Sequence, residues 1–256
     1  MSRMLTFFDA VWASARDYAV AGRRHEALKA LSPLLCSPVA PERLTLLAHR
    51  LAARLYAVAE NYRRARHHLR TAEKSDPNNA EIHFELAQSH ERDPYGCDRK
   101  AALRYQLAVK HAPRTPKYLA AFGRSLVRLD RVSRGVRYLR EAATKAPCDA
   151  KVLSIVVEGL REAGRMYEAY KLVAHAKFRA PKSKEIMLLW NEVKFQLAQS
   201  DQIGPRTDSR RAVVLPFVPV ISTRFTLDRG ESHRVDGPAR IAPHFTRLRA
   251  YRSEPG

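Results

Sequence analysis

Residues 46–79 read LLAHRLAARLYAVAENYRRARHHLRTAEKSDPNN, and this stretch decides the architecture. Ala53 and Tyr56 stand three apart, as residues on one face of a helix do. A break follows at Glu60 and Asn61. A second periodic run then places Ala65, Leu69 and Ala72 at steps of four and three, and Asp76-Pro77-Asn78-Asn79 supplies turn chemistry after it. Two helices that cross closely need small side chains where their backbones meet, and the alanines provide them. The pattern then recurs. Pro77, Pro113, Pro147 and Pro181 are separated by 36, 34 and 34 residues. Ala65, Ala101, Gly135 and Ala169 keep the same step, as do Ala72, Ala108, Ala142 and Ala176, and the bulky series Leu69, Tyr105, Leu139 and Val173. A period of this length held by independent markers means stacked helical hairpins.

The pattern resembles the tetratricopeptide repeat, a helix-turn-helix unit of about 34 residues. The resemblance implies an all-α, right-handed solenoid with units at about 8–41, 46–79, 80–115, 116–149 and 150–183. A capping helix over 184–201 completes a helical domain of residues 1–201. On the first helices the bulky, Leu-like, small and Tyr-like motif positions fall on His49, Ala52, Ala53 and Tyr56. In later units they fall on Leu119, Phe122, Gly123 and Leu126, and on Leu153, Val156, Val157 and Leu160. His49 and Val157 depart from the motif. Two extra residues around Asp93-Pro94-Tyr95-Gly96-Cys97 lengthen the turn of the second full unit. The first unit is more degenerate: Val11, Ala15, Tyr18, Ala27 and Leu31 are in phase, and Pro33 with the Ser37-Pro38-Val39-Ala40-Pro41 stretch ends it. In the cap, Met187, Trp190 and Asn191 are read as the inward phase.

Residues 202–256 differ in kind. They hold ten arginines, no lysine and six of the fifteen prolines, and form a largely irregular basic tail. Within it lies an apolar island, 213–221, carrying Val213, Val214, Leu215, Phe217, Val218, Val220 and Ile221. Its two prolines read as extended chain. The island docks on the solenoid, docks on a partner, or stays disordered.

Composition narrows the function. Forty-six Lys and Arg against 26 Asp and Glu leave a formal charge of +20 over 256 residues, which favours acidic partners. Ten glycines are few for an α/β nucleotide-binding enzyme. No phosphate loop, dinucleotide fingerprint, zinc-protease motif or nucleophile elbow occurs, so no catalytic residue, cofactor or small-molecule substrate is expected. Cys36, Cys97 and Cys148 form no CxxC pair, His67 and His68 are adjacent on a helix, and His83 and His90 lie seven apart, so no metal site is expected. No leader peptide or apolar run of membrane-spanning length is read, and the expected compartment is the cytoplasm.

Binding is therefore placed on the surface of the stack. Positions 2, 5, 9 and 12 of each first helix form one stripe, which the resemblance implies faces a concave peptide groove. The stripe and its flank give Trp12, Arg16, Arg50, Arg54, Phe84, Gln88, Lys117, Arg124, Arg128, Lys151 and Arg161, with Glu81, Glu91 and Glu158 among them. The reading is a non-enzymatic scaffold or adaptor that holds an acidic, extended partner segment, with apolar pockets beside Trp12 and Phe84. The two-carboxylate clamp of chaperone-binding members is incomplete, because Glu85 and Ala121 replace the expected Asn and cation. Two other readings stand beside this one: an RNA-associated basic protein, and a subunit of a larger complex anchored through the tail.

Overall fold

The structure, a computed structural model, describes the backbone of residues 2–203 and the side chains of residues 6–199. The basic tail and its apolar island lie outside the described residues. Eleven helices follow one another: α1 (Ser2–Val20), α2 (Arg24–Cys36), α3 (Glu42–Val58), α4 (Tyr62–Ser75), α5 (Ala80–Glu91), α6 (Asp98–His111), α7 (Pro116–Arg128), α8 (Val132–Lys145), α9 (Ala150–Glu162), α10 (Met166–Arg179) and α11 (Lys184–Ile203). They pair into five hairpins, α1/α2 to α9/α10, and α11 closes the stack. The helical unit is an all-α solenoid of the tetratricopeptide-repeat type.

Local chemistry sets where each helix begins and turns. The Asn79 side chain accepts hydrogen bonds from the Glu81 and Ile82 amides, and Asp149 does the same for Lys151 and Val152. Pro116 opens α7 at the position where a missing N–H costs nothing. The turns inside the hairpins reuse one device. Gly22, Glu60, Asp130 and Gly164 have φ of 74°, 58°, 62° and 69°. The residue after each donates its amide back to a last-turn carbonyl, as in Asn61 to Tyr56 and Arg131 to Leu126, both at 2.9 Å.

Helix α2 runs through the first proline of its closing stretch and ends directly before Ser37-Pro38. Pro33 lies inside the helix, which continues to Cys36. Its missing N–H frees the Lys29 carbonyl, and the Ser32 hydroxyl donates to that oxygen at 2.8 Å.

Packing follows the small-residue series. Ala65, Ala101 and Ala169 are at most 2% exposed, and so are Ala72, Ala108, Ala142 and Ala176. In the α7/α8 hairpin the backbones come closest. A Cβ on Gly123 would meet the Gly135 carbonyl oxygen at 2.9 Å, and one on Gly135 would meet the Gly123 oxygen at 2.6 Å. The apolar residues form four successive clusters along the stack, each shared by neighbouring helices, with Val109 and Tyr138 packing against two of them. In α11 the inward residues are Ile186, Leu189 and Val193, and Trp190 packs on Tyr170 at 4.6 Å between ring centroids. Met187 and Asn191, read from the sequence as inward, are exposed, because the buried face is set one residue earlier and extends to Val193.

Candidate functional site

The first helices of successive hairpins, α3, α5, α7 and α9, lie side by side, and ion pairs running from each to the next record this order. Arg50 meets Glu81 at 2.7 Å and Glu85 at 3.2 Å, while Arg54 meets the same two carboxylates at 3.0 and 2.6 Å. On the next step Arg128 reaches Glu91 at 3.3 Å, with Arg124 at 3.9 Å from it. Arg124 then bridges to α9, meeting Glu158 at 2.5 Å and Glu162 at 2.9 Å. The stripe is thus a ladder of alternating sign: cations on α3, carboxylates on α5, cations on α7, carboxylates on α9.

Electrostatics within the ladder are strong because its centre is shielded. Arg50 and Glu85 side chains are 12% and 11% exposed. Burial works against the Arg50 charge, but Glu85 and Glu81 more than offset it and hold the guanidinium above its ordinary pKa. Arg124 is in the same position, with Glu162, Glu158 and Glu91 offsetting its burial. Glu91 also accepts a hydrogen bond from the Tyr105 hydroxyl. Tyr105 is 1% exposed, and burial together with the Glu91 charge pushes its phenol well above its usual pKa.

The remaining stripe residues sort into covered and open. Phe84, read from the sequence as an open apolar pocket, is 1% exposed. Lys117 Nζ lies 4.4 Å over its ring, and Tyr118 and Tyr105 pack beside it. Trp12 is half-buried against the first apolar cluster, and Arg16 is exposed beside Asp17 at 4.0 Å. Gln88 lines a cleft of about 150 Å³ with Ala53, Arg54, Ala57 and Glu85. Lys151 and Arg161 are exposed, and neither they nor Lys117 has an ion-pair partner among the described residues. Sequence reasoning took the cations one unit at a time and missed their carboxylate partners. The signal lay in opposite charges one repeat apart, such as Arg50 and Glu85 or Arg124 and Glu158.

Elsewhere, His49 Nδ1 and His68 Nδ1 are 3.0 Å apart, and His68 stacks on Tyr56 at 5.4 Å. Among the described residues no group of three or more His, Cys, Asp or Glu has the arrangement to hold a metal ion. Cys36, Cys97 and Cys148 are free thiols. No described helix is long and apolar enough to cross a membrane.

No protein-family model and no curated protein matches the sequence. Among solved structures, a tetratricopeptide repeat protein from Parabacteroides merdae superposes with a TM-score of 0.59 at 12% identity, over 76% of this chain and 75% of that chain. TTC0263, a thermophilic protein of Thermus thermophilus described as a TPR protein, gives 0.56 at 16% identity, over 73% of this chain and 99% of its own. MamA from residue 41 to its end, from Desulfovibrio magneticus, gives 0.56 at 13% identity, over 69% of this chain and 97% of that one. At these identities the likeness is one of fold, and it places the helical unit among tetratricopeptide-repeat solenoids.

Proposed function

We propose that the helical unit is a non-enzymatic protein-interaction scaffold that takes an extended, acidic partner segment along its first-helix stripe. The carrying observation is the split among the stripe cations. Arg50, Arg54, Arg124 and Arg128 are matched by carboxylates of a neighbouring unit, whereas Lys117, Lys151 and Arg161 have no such partner among the described residues. The ladder therefore holds neighbouring units in register, and the unpaired cations are the ones available to a ligand's carboxylates. Likeness in fold to solved tetratricopeptide-repeat proteins supports the scaffold reading at the level of architecture only. The cytoplasm is the compartment that suits three thiols with no disulfide among the described residues.

Selection from a random-peptide display library on the full chain tests this. Peptides of net negative charge should be enriched, and Lys117→Glu/Lys151→Glu/Arg161→Glu should abolish the enrichment while helical circular dichroism is unchanged. Enrichment of neutral or basic peptides, or equal enrichment by the triple variant, would overturn the groove assignment. Anchoring through the tail is separated by a chain ending at Gln202: acidic-peptide enrichment should survive that truncation.

A further inference from the structure

The positive charge is not shared evenly between the two helix layers. The second helices α2, α4, α6, α8 and α10 carry eighteen Lys and Arg against five Asp and Glu; the first helices α1, α3, α5, α7 and α9 carry ten against eight. The second-helix layer thus holds most of the helical unit's excess charge. Within it, Arg66, Arg104, Arg140 and Lys145 are paired with carboxylates. Arg63, Arg99, Lys100 and Arg134 are exposed and have no ion-pair partner among the described residues.

These unpaired cations gather at one edge, where the turns inside the hairpins lead into α4, α6 and α8. Three depressions lie along that edge, each with arginines at the rim and an aromatic ring in the wall. The first is formed by Tyr56, His68, Arg63 and Arg64. The second brings Arg63 to Tyr62 and Tyr95, with Glu60 and the Arg66–Asp93 ion pair in its wall, and Tyr95 is 97% exposed. The third sets Arg99, Arg131 and Arg134, from consecutive hairpins, around Leu103, which is 58% exposed, over the buried Phe122. Guanidinium groups suit phosphate oxygens, and open aromatic faces suit unpaired bases. An anionic membrane would reward a flat basic plane, whereas separate depressions reward a ligand that projects planar groups at intervals from a flexible polyanionic chain.

We propose that this turn edge of the second-helix layer, rimmed by Arg63, Arg99, Arg131 and Arg134, is a binding track for single-stranded nucleic acid. Phosphates meet the arginines, one base stacks on the open ring of Tyr95, and another rests on the exposed Leu103 in the third depression. The track is distinct from the first-helix stripe, so both are open to test in the same chain.

The test is fluorescence anisotropy of a labelled oligouridylate of about 20 nucleotides with the full chain, titrated across a salt series. Full-chain variants keep the arginine-rich tail constant. Arg63→Glu/Arg99→Glu/Arg134→Glu should weaken binding at least about tenfold and flatten the log–log salt dependence by about 0.7 for each phosphate no longer neutralised. Tyr95→Ala should weaken it about fivefold without changing the slope, as loss of a stacked base does. Arg63→Lys/Arg99→Lys/Arg134→Lys should retain most of the affinity, and Lys151→Glu/Arg161→Glu should leave it unchanged. Circular dichroism confirms that each variant remains helical, and if the Glu variant does not fold, Arg63→Gln/Arg99→Gln/Arg134→Gln decides the matter, with the same loss of affinity expected and unchanged binding overturning the proposal. Absence of binding at low salt overturns the proposal. So does a Glu variant that binds as well as the parent, which would assign binding to the tail. Equal or tighter binding of a duplex of the same length, or of vesicles rich in phosphatidylserine, overturns it as well.

Discussion

His68 shows how one side chain ties stability to pH. Burial, reinforced by the neighbouring His49 and His67 rings, pushes its pKa down to about 4. His90 is likewise held at about 4 by burial and by Arg66, Lys100, Arg70 and Arg104. In the unfolded chain both titrate near 6.5, so between about pH 6.5 and 4 the unfolded chain binds more protons than the folded one. Stability is complete above that window and declines as pH falls through it. Thermal melting followed from pH 7.5 to 5.5, above the main carboxylate range, should show a falling Tm, and His68→Gln/His90→Gln should flatten the curve. A parent Tm that does not change over this range would refute the assignment. At this scale the sequence was partly legible. Ala65, Leu69 and Tyr105 announced themselves by period, and they are buried. Phe84 did not, because its cover comes from Lys117 one unit away. Cover of that kind becomes visible only once the stacking order is known.

The helix is the scale at which the sequence was most legible, since each hairpin carries its own turn, cap and small-residue contacts. The passage of α2 through Pro33 has a local cause: proline forbids a hydrogen bond but not a helix when a hydroxyl takes its place, as Ser32 does. Contacts between helices of different units were the obscure part. The ladder depends on them, and its pairs should differ in worth. Removing Glu85 deprives a well-shielded Arg50 of one partner and takes from Arg54 its shortest contact, so Glu85→Ala should cost about 1–3 kcal/mol. Glu158 is 45% exposed, and Glu158→Ala should cost less than about 1 kcal/mol. Urea denaturation of the two variants reads the difference, and an equal or reversed order would count against the shielded centre of the ladder.

Across the helical unit, stability is the sum of hairpins and the interfaces between them, because the apolar clusters succeed one another rather than merging. Charge is distributed differently from apolar area. The first-helix layer is nearly balanced, whereas the second-helix layer repels itself. Salt screens exposed like charges more effectively than shielded ion pairs. Raising sodium chloride from about 50 to 500 mM, a range over which the Debye length shrinks several-fold, should therefore raise Tm. A fall in Tm would mean that the ladder outweighs the repulsion within the second-helix layer. Overall composition pointed to a polyanionic partner without saying where it would bind, since a total of +20 carries no address. Only the assignment of each residue to the first or second helix of its hairpin separates the compensated charge from the uncompensated.

The alternating signs on α3, α5, α7 and α9 also give the stack a parity. Excising the single hairpin α5/α6 would bring Arg50 and Arg54 against Arg124 and Arg128, like charge on like. Excising α5/α6 and α7/α8 together would bring them against Glu158 and Glu162 and rebuild the match. The same arithmetic governs duplication. Between α3 and α9 an array of this kind lengthens or shortens without an electrostatic mismatch only in steps of two hairpins.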